Sequence, residues 1–282
     1  MLKIALFLIG VVMAAAAPAF AGVANDIPSC YTANKVVNPA PQISKEIFIL
    51  IDQTTPLDTG LQNSVRENVG RLVTPGNAYV VSSFSSFGQG RYLEVLSAGT
   101  IETNIPEKYR GDIGVRILSG LDNCLKSQSE FARKTAAGAL NNALNGASGD
   151  LAKSDVMAAL RELSGRVRQS PAKEKILFVV SDMLENSSIS SFYSNRKIRN
   201  LDISAEIKKA TTSHQIGDFA GARVFVLGAG LVQDPTGKGK DSGVYRDPKT
   251  ISNLKSFWEE YFAQSKATLI EFGAPALLVP IQ

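Results

Sequence analysis

The chain has one histidine and two cysteines in 282 residues. The cysteines, Cys30 and Cys124, stand far apart, and His214 sits in Thr-Ser-His-Gln with no second ligand beside it. That excludes a zinc site built from thiolates and imidazoles, and His214 reads as a surface helix end. There is no G-x-S-x-G and no H-E-x-x-H segment, so enzymatic activity has no motif to rest on. Charge is nearly balanced: 30 Lys and Arg against 26 Asp and Glu give +4. Nucleic-acid binding requires clustered basic residues interleaved with aromatics, and this chain lacks them. Gly228-Ala229-Gly230 follows an apolar run, but Gln233 stands where a dinucleotide fingerprint needs its third glycine, which leaves a tight turn. Lys238-Gly239-Lys240 lacks the spacing of a phosphate loop.

The apolar start of the chain is informative. Lys3 precedes an unbroken apolar run from Ile4 to Ala17, then Pro18 and the small-residue site Ala19-Phe20-Ala21. The run is shorter than the ~20 residues a spanning helix needs, and the pattern predicts a cleavable signal peptide over 1–21. The mature protein is then periplasmic or secreted, with no integral membrane segment, and without Lys3 its net charge is +3. An oxidising compartment favours a Cys30–Cys124 disulfide over two separate buried thiols.

Residues 22–45, rich in Pro, Asn and Ala, read as a loose N-terminal arm, and 46–282 as one domain. Short apolar runs, Glu46 to Asp52, Lys175 to Asp182 and Ala222 to Gly230, read as buried parallel strands. Ala78 to Ser85 and Arg91 to Glu102 read as an antiparallel pair joined by the Gly88-Gln89-Gly90 turn. Helical patterns lie between the strands: from an Asp58 cap to about Val73, from Ile113 to Leu144 with a possible break at Gly138, from Ser154 to Arg168, from Ile203 to Thr212 and from Thr250 to Lys266. The fold class that follows is α/β: a doubly wound, mostly parallel sheet with one antiparallel edge strand and helices on both faces.

Two of the buried strands end in aspartate, Asp52 and Asp182, at the sheet edge where ligands of doubly wound folds sit. Gln53, Thr54 and Thr55 follow the first, and Ser154 opens a helix that begins at the same edge. Carboxylates and hydroxyls converging beside a helix N-terminus suit a hard divalent cation. Asp52-Gln53-Thr54-Thr55-Pro56, Ser154 with Ala159-Leu160, and Ser181-Asp182 resemble, in order, the motifs of the von Willebrand factor type A domain and its metal-ion-dependent adhesion site. The resemblance extends over the order of elements in the mature chain, and it implies that Asp52, Thr54, Ser154 and Asp182 hold Mg²⁺ or a similar divalent cation. Pro56 departs from the pattern by removing one hydroxyl, for which Asp58 or Thr55 could substitute.

The segments after the second and third parallel strands, Met183 to Leu201 and Leu231 to Pro248, bring Arg196, Lys197, Arg199, Lys238, Lys240 and Arg246 to the same face. They read either as solvated charge or as a rim for a partner protein that presents an acidic residue, which in the resembling family often completes the metal shell. The leading expectation is therefore an exported interaction or adhesion module that binds another protein through a metal face. A metal-independent structural subunit of an envelope or surface assembly stands second, and a metal-dependent hydrolase third.

Overall fold

The structure, a computed structural model, describes residues 25–39, 41–85, 93–149, 153–194, 197–231 and 247–282. The expected signal peptide over 1–21, the expected Gly88–Gly90 turn and the expected rim residues Arg196, Lys238, Lys240 and Arg246 lie outside them.

A six-stranded sheet runs in the order β3-β2-β1-β4-β7-β8, from β1 (Lys45–Asp52), β2 (Asn77–Phe84), β3 (Glu94–Thr100), β4 (Glu174–Val180), β7 (Ala222–Leu227) and β8 (Ala267–Gly273). All neighbours pair parallel except β2 and β3. The expected fold class is thus the observed one. Between β1 and β4 the order reverses direction, and the crevice beyond the strand ends at that switch point is where doubly wound sheets place ligands.

The two-residue period of a strand sorts its side chains onto opposite faces. Phe48, Leu50, Leu177, Val179, Val224 and Val226 enter one core with α5 (Val156–Gln169), α6 (Ile203–Thr212) and α7 (Pro248–Gln264). Ile47, Ile49, Ile51, Ile176, Phe178, Val180, Phe225 and Leu227 enter a second with α2 (Thr59–Leu72) and α4 (Val115–Asn145). Burial on both faces explains why β1 and β4 are continuous apolar runs rather than alternating ones.

Two expectations change. Helix α4 runs unbroken through Gly138, which faces open space, because Ala132, Ala136, Ala139 and Ala143 carry one small-residue face onto the sheet and outweigh the cost of a helical glycine, about 1 kcal/mol. The described part of the N-terminal arm is not loose. Asp26 covers the outer edge of β3, its N–H donating to Ala98 O at 2.9 Å and its carboxylate accepting from Ala98 N at 3.1 Å. Next comes a one-turn helix, α1 (Cys30–Ala33), where Cys30 is disulfide-bonded to Cys124 of α4. Glu102, just past β3, accepts from the Ser29 hydroxyl and the Cys30 N–H, which places this bond at the end of the sheet opposite Asp52. Besides one short helix, α3 (Glu107–Arg110), there is a small ribbon, β5 (Tyr193–Ser194) with β6 (Lys197–Ile198), inside the segment read as a loop after β4.

Candidate metal centre

Asp52 ends β1 fully buried, and its carboxylate takes four hydrogen bonds. Thr54 donates to Oδ1 from its backbone N–H at 2.9 Å and its hydroxyl at 2.7 Å, so the chain turns back on itself directly after the strand. On Oδ2 the hydroxyls of Ser154, at 3.0 Å, and Ser181, at 2.7 Å, both donate. Burial pushes the Asp52 carboxyl above its ordinary range, opposed by the hydrogen bonds from Thr54, Ser181 and Ser154.

Asp182 follows β4 and is 6% exposed. Leu184 N–H donates to its Oδ1 at 2.9 Å and the Tyr193 hydroxyl to its Oδ2 at 3.0 Å. Its own N–H donates to Thr55 Oγ1 at 3.3 Å. Burial, and then the neighbouring Asp52 charge, push the Asp182 carboxyl well up. The two aspartates therefore share one low-dielectric site, and no Lys or Arg side chain among the described residues hydrogen-bonds to either.

Backbone geometry holds the site in place. Gly230 N–H donates to Asp182 O at 2.8 Å, and Gly228 has a positive φ of 101° with room for a Cβ only at 3.0 Å from Ser181 O. The Gly-Ala-Gly segment is thus the tight turn read from sequence: it lets the end of β7 pass against the Ser181-Asp182 backbone.

All four expected ligand residues meet here, though not all as expected. Ser154 does not open the helix. Helix α5 starts at Val156 with Asp155 at its cap, and Ser154 instead bridges Asn186, which turns its hydroxyl onto Asp52. Asp58 is exposed and occupied by capping α2 through Leu61 N at 2.8 Å, so it cannot replace the hydroxyl missing at Pro56, whereas Thr55 lies at the site. Arg199 is not a free rim cation. It pairs with the buried Glu206 at 2.7 Å, donates to Ser191 O and lies over the Phe192 ring.

Ser181, quoted from the sequence only as the neighbour of Asp182, joins the site as a donor to Asp52. Two further buried or half-buried groups nearby in the chain escaped the sequence reading. Tyr193 lies eleven residues beyond Asp182, with no periodicity to mark it. Glu185, 1% exposed, accepts from Met157 N–H at 2.9 Å at the start of α5, and burial pushes it up to about 8.

The donor set fits a hard divalent ion. It is all oxygen, it carries two carboxylates without a cationic side chain among the described residues, and the Thr54 and Ser154 hydroxyls keep acceptor lone pairs after donating to Asp52. Among the described residues no group of three or more His, Cys, Asp and Glu converges, so the hydroxyls and solvent would have to complete the shell.

No protein-family model matches the chain, and no curated protein does. Among solved structures it is similar to the pilus adhesin SpaC from Lactobacillus rhamnosus GG in an open conformation, with 12% identity and a TM-score of 0.40, over 84% of this chain and 29% of that one. It is also similar to the PilB minor pilin from Streptococcus sanguinis, with 12% identity and a TM-score of 0.43, over 85% of this chain and 59% of that one. The chain thus spans less than two thirds of either protein. No described helix is long and apolar enough to cross a membrane.

Proposed function

We propose that this chain is an exported protein–protein interaction or adhesion module that engages its partner through a divalent-metal face made by Asp52, Thr54, Ser154 and Asp182. The supporting observation is the pairing of two buried carboxylates with no cationic side chain among the described residues on either, ringed by hydroxyls at the switch point of the sheet. Two such groups cannot both stay ionised in a dry site without a counter-charge, and either a proton or a cation supplies it. Mg²⁺ or a similar ion bound there would hold both aspartates ionised and offer its outward coordination position to a carboxylate of the partner. Arg196, Lys197, Lys238, Lys240 and Arg246 remain the proposed rim, while Arg199 is taken up by Glu206.

One observation favours a metal-independent structural subunit instead. Every carboxylate oxygen of Asp52 and Asp182 already accepts a hydrogen bond from the protein, so a single proton on the pair would complete the site without an ion. The deciding experiment is partner capture from the native envelope with and without EDTA, repeated with Asp182→Asn. Capture lost in both supports the metal face; capture indifferent to both supports the scaffold.

A further inference from the structure

Helix α4 reaches further than the sheet it covers. Its 31 residues span about 46 Å, whereas the longest strands, of 8 residues, span about 26 Å. At its C-terminal end α4 is level with Asp52, since Gln53 Nε2 donates to Ala143 O at 2.7 Å. Its first turns therefore project past the opposite end of the sheet. There they build a small core of their own with Cys30, Tyr31, Ile105, Leu121 and Leu125, none of which belongs to a strand. The disulfide holds the arm against the helix, and so does Asn34, whose Oδ1 lies 2.8 Å from where a Cβ on Gly120 would stand.

The surface of this lobe, residues 30–37 and 105–126, is both apolar and basic. Of the seven exposed large apolar side chains among the described residues, three are on it: Val37 (87% exposed), Val115 (85%) and Ile117 (47%). Around them stand Lys35, Lys108, Arg116 and Lys126, all exposed and none in an ion pair among the described residues. The acids of the lobe are Glu107, Asp112 and Asp122. Arg110 takes up Glu107 at 3.5 Å and Asp122 at 2.7 Å, which leaves Asp112 alone against those cations.

Short aliphatic tips on a projecting, cationic surface suit a lipid surface better than a protein. Protein interfaces draw their energy from aromatic and Arg anchors in a well-packed central patch, whereas the exposed tips here are aliphatic and Tyr109 is half-buried. An anionic bilayer demands less of shape. It takes in isolated apolar tips at the headgroup boundary while Lys and Arg keep their charges beside the phosphates.

We infer that this lobe is a peripheral membrane-docking site: Val37, Val115 and Ile117 enter the headgroup region of an anionic bilayer, and Lys35, Lys108, Arg116 and Lys126 lie against its phosphates. The other end of the sheet, with Asp52 and Asp182, then faces away from the membrane. The docking does not depend on a metal at that end.

The test is co-flotation with vesicles of phosphatidylcholine alone or of phosphatidylcholine with phosphatidylglycerol. The chain is used without residues 1–21, whose apolar run would bind lipid by itself. It should bind the anionic vesicles at least about tenfold more tightly. Val115→Ser with Ile117→Ser, and separately Lys108→Glu with Arg116→Glu, should each weaken that binding about tenfold or more. Both variants should melt like the wild type, because all four side chains are exposed. Equal binding to both vesicles, or none to either, overturns the proposal. Anionic binding that the serine pair leaves unchanged overturns it too: lost with the glutamate pair, it marks a face for an acidic protein, and retained in both, it belongs to another part of the chain.

Discussion

Ser181 donates its hydroxyl proton to Asp52 Oδ2 at 2.7 Å while accepting from Met183 N–H at 2.9 Å. One small side chain thus ties the exit of β4 to the end of β1 and fixes where Asp182 begins. Ser181→Ala removes a donor to a buried carboxylate and orphans an N–H, which should cost about 1.5–3 kcal/mol. Urea unfolding of the variant measures this directly, and a loss under roughly 0.5 kcal/mol would place the hydrogen bond outside the stability of the fold.

Glu185 gives a pH signature. Its folded carboxyl is raised from 4.5 to about 8 by burial, so between those values the folded protein keeps a proton that the unfolded chain has released. Stability from this group is complete below about 4.5 and declines as pH rises towards 8. Glu185→Gln, which still offers an oxygen to Met157 N–H, should flatten that decline, an effect of up to roughly 4–5 kcal/mol across the window. Thermal unfolding of both proteins over this pH range should give curves that diverge upward in favour of the variant; parallel curves would mean that Glu185 is ionised in the fold.

Most of the architecture was legible in the sequence because β1, β4 and β7 are buried on both faces and so appear as short apolar runs between helical patterns. Asp52 and Asp182 were legible for the same reason: a carboxylate ending such a run has only the sheet edge to occupy. The role of Tyr193 was not, since it depends on a loop folding back across eleven residues, which no local period records. Ser154 was placed correctly for the wrong local reason. A serine before an apolar helical stretch reads as a cap, but its backbone is claimed by Asn186. The arm looked loose because its polar, Pro-rich composition conceals that Asp26 satisfies the open edge of β3.

The Cys30–Cys124 disulfide closes a span of 94 residues, far from Asp52. Replacing both cysteines with alanine should lower unfolding free energy by up to about 4–5 kcal/mol in the chain-entropy account. Any metal response should persist, because the arm and the site share no contact through this bond. Denaturant unfolding measures the first effect, and metal titration of the same variant the second; loss of the metal response would show that the arm and the site are coupled.

Whether Asp52 and Asp182 hold a cation is decided by thermal unfolding of the protein in Mg²⁺ or Mn²⁺, before and after EDTA, beside Asp182→Asn. A ligand at about a hundred times its dissociation constant stabilises by about 2.7 kcal/mol, equivalent to a rise of roughly 5–10 °C for a domain of this size. That rise is expected in the wild type, with reversal by chelator and absence in Asp182→Asn, whose metal-free melting temperature should be higher than the wild type's because the carboxylate repulsion is gone. A wild-type melting temperature that does not move at millimolar metal would contradict it, leaving protonation to neutralise the two aspartates.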